Sequence, residues 1–358
     1  MMGVHRAEGG VLDTSRADAL LTGLVERYSP SGQETEAAEY LVAQMRDLGL
    51  CAAVDPAGNA VGEIGDGHQV IVLLGHIDTV PGAIRVRREG NLLHGRGVVD
   101  AKGSLAAFVC AAACAGMRPG KRIIVVGAVE EEAATSKGAR HVLTCLSPSV
   151  AVIGEPSGWD RITVGYKGRL LVDYALRHEV GHTAGPGASA PEEAVGFWRQ
   201  VLAWAARLNT GRERGFEQLT PSLRRICSGD DGFVEHVEMT LGLRLPLDSD
   251  SAGLQEELVE MAGDAELSFR GYEQAFRASR GSPLACAFVR AIGVQGQRAA
   301  FTVKTGTSDM NVVGPVWQCP IVAYGPGDST LDHTPNEQLD LDEYHRAIEV
   351  LTAVLRDL

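Results

Sequence analysis

The chain has 358 residues, 45% of them hydrophobic and 22% charged, a composition typical of a soluble globular protein large enough for two domains. Its formal net charge of −13 argues against general binding to nucleic acid or anionic membranes, because phosphate contacts need a basic surface. The sequence contains no long apolar run, its N-terminal residues lack the apolar stretch typical of a signal peptide, and its seven scattered cysteines include no Cys-x-x-Cys pair. We therefore expect a cytoplasmic protein with reduced thiols.

The first part of the chain alternates helices with short apolar strands. Residues 17–49 predict two helices joined by a turn at residues 29–32. An alanine-rich helix is predicted at residues 104–114. The β-rich runs around it cover residues 70–74, 123–126 and 150–153. This alternation predicts an α/β sheet flanked by helices, with the chemistry at its strand ends.

After Glu155 the pattern changes to that of a small α+β module. Its predicted strands and helices alternate over residues 170–177, 192–208, 234–245, 251–262 and 266–275. A helix from residue 282, a strand and a final helix then return the chain to its first domain. We therefore predict a catalytic domain in two parts, residues 1–163 and 278–358, with residues 164–277 inserted between them.

Residues that are able to bind metal follow the predicted strands. His76 and Asp78 come directly after the first apolar run, and a carboxylate on the far ring nitrogen of a metal-binding histidine orients it. Taken alone, His-x-Asp is more often a loop histidine satisfied by its neighbour. Asp100 opens the alanine-rich helix, where it is either an ordinary N-cap or a carboxylate that bridges two metal ions.

Further candidates follow the later strands. Glu130, Glu131 and Glu132 are adjacent, and their mutual repulsion favours a nearby cation, although most acidic runs are solvated loops. Glu155 ends the third strand, and His333 follows the strand at residues 321–324. Each of these residues alone is more often structural than catalytic, whereas their order along one chain is specific.

Together these motifs resemble the metal-dependent family of acetylornithine deacetylases, succinyl-diaminopimelate desuccinylases and aminoacylases. The resemblance covers nearly the whole chain, through residues 75–81, 95–103, 130–132, 155–156 and His333. It implies a zinc-peptidase-like catalytic domain, with a mixed central sheet flanked by helices, and an inserted α+β ferredoxin-like lid domain. It also implies a homodimer formed through the lid and a cis peptide bond after Asp100.

The resemblance further implies hydrolysis of an amide bond with two divalent metal ions, Zn²⁺, Co²⁺ or Mn²⁺. His76 and Glu155 would bind one ion, and Glu132 and His333 would bind the other. The Asp100 carboxylate would bridge the two ions. Asp78 supports His76, and Glu131 is the general base that activates the attacking water. Members of the family usually have Asp-Glu-Glu where this chain has three glutamates. The roles assigned within the run could therefore shift by one residue.

The resemblance also marks residues for the substrate, two in the inserted module and three in the second part of the catalytic domain. His182 matches a lid histidine that stabilises the oxyanion, often in the neighbouring subunit, or else it is an ordinary surface histidine. Arg244 matches an arginine that binds a substrate carboxylate, or else it is a plain strand arginine. A polar segment that contains Lys304, Thr307 and Ser308 matches one that lies beside the substrate in the family. The alternative is a polar loop that caps the next element.

Within the family, residues 136–140, 164–169, 182–186 and 304–311 are most similar to enzymes that release lysine or ornithine from the C-terminal glutamate side chain of an acidic amino-group carrier protein, in lysine and arginine biosynthesis. An acidic partner favours a basic surface, and the arginine-rich run at 207–225 is either such a patch or a solvated loop. The alternatives are a small-molecule deacylase, such as acetylornithine deacetylase or succinyl-diaminopimelate desuccinylase, and a catalytically silent scaffold. A catalytically silent member would be expected to lack a metal ligand or the general base, and none of these residues is missing from the sequence.

Overall fold

Two units make up the computed structural model, which describes residues 13–182, 185 and 187–358. The first unit combines the described part of Met1–Gly165 with Ala278–Val303 and Ser308–Leu358, and the second combines Tyr166–Arg277 with Lys304–Thr307. The chain therefore passes through the second unit between two parts of the first. Among the described residues, no helix has both the length and the apolar character needed to cross a membrane.

The helices and strands are numbered in chain order. The helices are α1 (Thr14–Val25), α2 (Thr35–Asp47), α3 (Lys102–Ala115), α4 (Lys137–Cys145), α5 (Ala190–Leu208), α6 (Ser251–Ala262), α7 (Pro283–Val294), α8 (Asp309–Trp317) and α9 (Leu341–Asp357). The strands are β1 (Cys51–Val54), β2 (Ala60–Ile64), β3 (Gln69–His76), β4 (Arg87–Glu89), β5 (Leu92–His94), β6 (Lys121–Ala128), β7 (Val150–Gly154), β8 (Arg161–Tyr166), β9 (Gly168–Glu179), β10 (Thr220–Asp230), β11 (Val234–Leu245), β12 (Glu266–Glu273), β13 (Phe276–Arg277), β14 (Ala300–Lys304), β15 (Ile321–Tyr324) and β16 (Gln338–Asp340).

The first unit is built on a mixed sheet with the strand order β1-β2-β6-β3-β7-β15-β8. Its four central strands, β6, β3, β7 and β15, are parallel neighbours, and the outer pairings are antiparallel. The central strands are buried on both faces, which explains their continuous apolar runs. Parallel strands end at the same edge of a sheet, so the segments that follow them meet there. The predicted catalytic-domain architecture is confirmed.

A row of glycines crosses the centre of this sheet. Gly127 on β6, Gly75 on β3 and Gly154 on β7 lie side by side in the strand register. Helix α3 packs closely over them, because a Cβ added at Gly154 would lie only 3.0 Å from the ring of Phe108. The missing side chains let α3 approach the sheet, and Asp100 lies just before this helix. The glycine row therefore helps to set the distance between Asp100 and the strand ends.

Replacing Gly154 by alanine is expected to lower the free energy of unfolding by about 1–3 kcal/mol, because an added methyl group overpacks a closed core. The new Cβ would meet Phe108 and the Gly75 Cα at 3.0 Å. Chemical denaturation measures the change. Gly293→Ala is the control, since a Cβ there has open space in helix α7 and should not destabilise the protein. Equal stability of both variants would contradict this packing account.

The second unit is a four-stranded antiparallel sheet in the order β10-β11-β9-β12. With the chain order β9, α5, β10, β11, α6, β12, this is a ferredoxin-like arrangement. Apolar side chains on one face of the sheet pack with α5 and α6 around Trp204 and Phe197. Of the two interpretations of residues 207–225, the solvated loop is wrong in part, because residues 220–230 form strand β10. This edge strand is mostly exposed, so its polar sequence lacks the apolar alternation of a half-buried strand.

Candidate metal centre

Side chains from separate segments of the first unit meet at the carboxyl edge of the parallel strands. His76 is the last residue of β3, and Asp100 lies just before α3. The His76 Nε2 atom lies 3.1 Å from Asp100 Oδ1. On the other side, His333 Nε2 lies 3.0 Å from Asp100 Oδ2 and 2.9 Å from Glu132 Oε1. The structure thus brings four of the five predicted metal ligands into contact.

Asp100 does not cap helix α3. The N-cap residue is Ala101, which forms no side-chain capping bond, and both oxygens of Asp100 face histidines instead. Burial alone would raise the pKa of Asp100, but hydrogen bonds from His333 and His76 hold it below its usual range. The Asp100–Ala101 peptide bond is cis, as the resemblance implies. A carboxylate that presents each oxygen to a different ligand has the arrangement of a bridging group.

The three adjacent glutamates have different surroundings. Glu130 adopts a positive φ of 58°, and its carboxylate accepts a hydrogen bond from the Thr135 hydroxyl at 2.7 Å and lies 3.5 Å from Lys137 Nζ. Glu132 instead reaches His333. The acid of the run that contacts the cluster through a direct bond is therefore Glu132, and Glu130 is occupied elsewhere.

Glu131 lies between these two acids and is surrounded by charge. Burial raises the pKa of Glu131 well above its usual value, with His76 acting in the opposite direction and the Glu155 and Asp309 carboxylates raising it further. Burial also raises the pKa of Glu132. Glu155 follows β7 directly and is 8% exposed. Buried carboxylates that crowd together are stabilised by a cation, so imidazole and carboxylate donors in this arrangement fit a divalent metal.

Asp78 contacts both His76 and the glutamate run. The Nδ1 atom of His76 lies 3.0 Å from the Asp78 carbonyl oxygen and 3.5 Å from its carboxylate. The same carboxylate accepts hydrogen bonds from the backbone N–H groups of Glu131 at 3.0 Å and Glu132 at 3.1 Å, and from the Ser31 hydroxyl at 2.6 Å. Because Asp78 is completely buried, these bonds are shielded from water.

Two further carboxylates hold the segments of the site, and the sequence analysis missed both. Glu34 accepts hydrogen bonds from the backbone N–H groups of Gly32 at 2.8 Å and Glu130 at 3.2 Å. Glu337, which follows His333, binds the Asp100 segment. The sequence did offer one signal for both residues. Glu34 ends a turn segment at residues 29–34, and Glu337 ends another at residues 333–337. An ordinary turn does not need a charged residue at such a position.

Three of the predicted substrate residues lie in the second unit close to one another. Arg244 on β11 donates a hydrogen bond through Nη1 to the Thr307 hydroxyl, which donates to the Lys167 carbonyl at 3.3 Å. The Lys304 carbonyl accepts a hydrogen bond from the Lys167 backbone N–H at 3.2 Å. The Lys167 backbone thus ties both segments together, and Thr307 sets the orientation of the Arg244 guanidinium.

The other two predicted substrate residues have different settings. His182 is exposed in the segment after β9, and its neighbours Thr183, Ala184 and Pro186 lie outside the described residues. Ser308 is 2% exposed and is the N-cap of α8. Its hydroxyl accepts a hydrogen bond from the Met310 N–H at 3.2 Å, so the structure shows Ser308 in the capping arrangement.

The arginine-rich run is largely paired with acids. Three of its five arginines face neighbouring carboxylates: Arg212 faces Asp248, Arg214 faces Glu217 and Arg225 faces Glu238. Arg207 and Arg224 have no acidic partner in the part of the chain that the structure describes. The local excess of positive charge is therefore smaller than the sequence suggests.

Comparison with known proteins identifies close relatives. The model of peptidase family M20/M25/M40 matches residues 72–357. The LysW-lysine hydrolase of Deinococcus radiodurans is 44% identical over 357 residues, which cover 97% of this chain and 98% of that protein. Identity of this degree over the full length of both proteins shows common family membership.

Solved structures share the fold at much lower identity. The M20 family metallo-carboxypeptidase Sso-CP2 of Sulfolobus solfataricus superimposes with a TM-score of 0.78 at 19% identity, over 95% of this chain and 98% of that one. The Bacillus subtilis YXEP protein, a dinuclear metal-binding peptidase from the M20 family, gives a TM-score of 0.65 at 14% identity, over 96% and 98%. The chain belongs to peptidase family M20/M25/M40, whose members are hydrolases of amide bonds.

Proposed function

We propose that the chain is a di-metal amidohydrolase that releases lysine, or ornithine, from the C-terminal glutamate side chain of an acidic amino-group carrier protein. The reaction type rests on the cluster in which His76 and His333 face the two oxygens of Asp100. The substrate class is supported by 44% identity to a LysW-lysine hydrolase over nearly the full length of both proteins.

Two divalent ions suit the residues of the cluster. We assign His76 and Glu155 to one ion, Glu132 and His333 to the other, and Asp100 to both. Imidazole and carboxylate ligands suit Zn²⁺, Co²⁺ or Mn²⁺. When bound, the ions supply Lewis acidity to the scissile carbonyl and the attacking water.

Glu131 is our candidate for the residue that moves the proton. Its carboxylate takes a proton from the attacking water and gives it to the leaving amine as the C–N bond breaks. The hydrogen bond from its backbone N–H to buried Asp78 supports this role, because a base must be held in position. We assign His182 to donate a hydrogen bond to the oxyanion of the tetrahedral intermediate.

Arg244→Lys is expected to raise KM about 10- to 100-fold with a smaller change in kcat, because lysine cannot form the paired hydrogen bonds of a guanidinium with a substrate carboxylate. Steady-state kinetics measure both constants. The matched control is Arg270→Lys, since Arg270 pairs with Asp173 in the same unit. An unchanged KM in the Arg244 variant would remove this residue from the proposed site.

We also propose a homodimer formed by second units. Helix α5 and edge strand β10 pack together and leave four large apolar side chains well exposed: Val195, Leu202, Leu223 and Ile226. A second copy of the same surface covers such side chains and protects the open strand edge. Leu202→Asp is expected to convert the dimer to monomer in analytical ultracentrifugation, whereas Val259→Asp on α6 is not. A dimer that survives the first change would reject this surface.

The substrate is tested with metal-reconstituted enzyme on lysine-loaded carrier protein, N-acetylornithine and N-succinyl-diaminopimelate. We expect kcat/KM for the carrier to exceed that of both small molecules by about 100-fold or more, because contacts distant from the scissile bond add to transition-state binding. Faster turnover of either small molecule would assign the chain to the small-molecule deacylases. Release of ornithine from the corresponding carrier decides between the two amino acids.

A further inference from the structure

Glu337 is a buried carboxylate in the first unit, four residues after His333 in the chain. Its side chain is 1% exposed, and it immediately precedes β16, which pairs with β5. A carboxylate removed from water is costly unless hydrogen bonds compensate its charge. Its bonding partners therefore indicate why the fold keeps a charge at this position.

Four donors surround the Glu337 carboxylate, and three of them are backbone N–H groups of the segment that ends at Asp100. Oε1 accepts hydrogen bonds from Val99 at 2.9 Å and from Asp100 at 3.1 Å. Oε2 accepts from the backbone of Gly97 at 3.0 Å and from Arg96 Nη1 at 3.0 Å. Charge-assisted bonds of this kind are strong, so Glu337 holds the backbone that presents Asp100.

Arg96 extends the same connection to the His333 segment. Its Nη1 also donates to the Thr334 carbonyl at 3.2 Å, and its Nε donates to the Gly82 carbonyl at 2.9 Å. His333 itself has a φ of 62°, a left-handed conformation that a residue other than glycine keeps only when its surroundings hold it. Glu337 and Arg96 thus connect the two segments that carry Asp100 and His333.

We infer that Glu337 is a positioning residue for metal binding, whose carboxylate holds Asp100 and His333 in the relative geometry that the two ligands need. The inference rests on the proposed di-metal function. It predicts that loss of the carboxylate weakens metal binding in a protein that remains folded, because outer partners of metal ligands typically contribute 10- to 100-fold in affinity. A purely structural role would change stability alone.

The test is a calorimetric titration of metal-free protein with Zn²⁺ or Co²⁺ alone, with folding followed by circular dichroism. Glu337→Gln keeps the side-chain shape but turns an N–H₂ group toward donors, and we expect the Kd of the weaker ion to rise about 10- to 100-fold.

The matched control is Asp231→Asn, which alters a carboxylate of the second unit that also accepts backbone N–H bonds. Its partners are the backbone N–H groups of Phe233 at 2.9 Å and Val234 at 2.8 Å. These bonds lie in the turn between β10 and β11, outside the unit that carries the ligand segments, so this variant should bind both ions as the wild type does.

Arg96→Lys provides a second variant that keeps the positive charge and the three backbone bonds to Glu337 but loses the fork to Thr334 and Gly82. We expect a smaller loss of metal affinity, and this variant decides the question if Glu337→Gln does not fold. Wild-type affinity for both ions in the folded variant would overturn the inference. Failure of the wild-type protein to bind either ion would instead overturn the proposed di-metal function and the inference with it.

Discussion

Replacing Asp100 by asparagine is expected to remove most of the bound metal and to lower kcat/KM by about 10³-fold, since metal ions contribute several kcal/mol to transition-state stabilisation. The two oxygens of Asp100 lie 3.1 Å from His76 Nε2 and 3.0 Å from His333 Nε2. Asparagine replaces one oxygen by a donor and removes the charge, so it cannot bridge two cations. Elemental analysis after dialysis gives the metal content, and steady-state kinetics give the rate.

Asp340→Asn is the control for this experiment. Asp340 caps helix α9 at the surface, and asparagine caps a helix equally well. The control should therefore keep wild-type metal content and activity. Full metal occupancy in the Asp100 variant would show that this carboxylate is not a ligand of the ions.

Glu131→Gln is expected to lower kcat by about 10²- to 10⁴-fold while the metal content stays near that of the wild type. The reason is that glutamine cannot accept the proton of the attacking water, whereas the proposed ligands are untouched. The backbone bond from residue 131 to Asp78 does not depend on the side chain and should persist. Kinetics and metal analysis of the same preparation separate the two effects.

Glu130→Gln tests the register of the run. The Glu130 carboxylate contacts Thr135 and Lys137, so its replacement should leave kcat near the wild-type value. A large loss of activity in this variant, with activity retained in Glu131→Gln, would shift the catalytic assignment by one position. Loss of metal from the Glu131 variant would make Glu131 a ligand and reject its role as the base.

The central sheet and the edge that carries the candidate site could be predicted because the parallel strands are buried on both faces and are followed by glycine and polar residues. The role of Asp100 could not be settled in the same way. An aspartate before an alanine-rich helix is a common N-cap, and only the positions of His76 and His333 show where its oxygens lie. Partners that are distant in the chain leave no local pattern in the sequence.

The residues that were missed have a common physical cause. Glu34 and Glu337 bind backbone N–H groups of other segments, and every residue except proline has such a group, so the sequence does not mark the partners. Strand β10 was missed because an exposed edge strand needs no apolar alternation. The pattern of apolar residues predicts where helices and strands lie. The hydrogen bonds that position the candidate ligands can be recognised only in the folded structure.

The most direct test of the central claim is the release of lysine from lysine-loaded carrier protein by enzyme that has been stripped of metal and then reconstituted. We predict that release falls to the background rate after chelation and returns when Zn²⁺ or Co²⁺ is restored, but that it does not return in Asp100→Asn. Undiminished release by enzyme that elemental analysis shows to be free of metal would contradict the account.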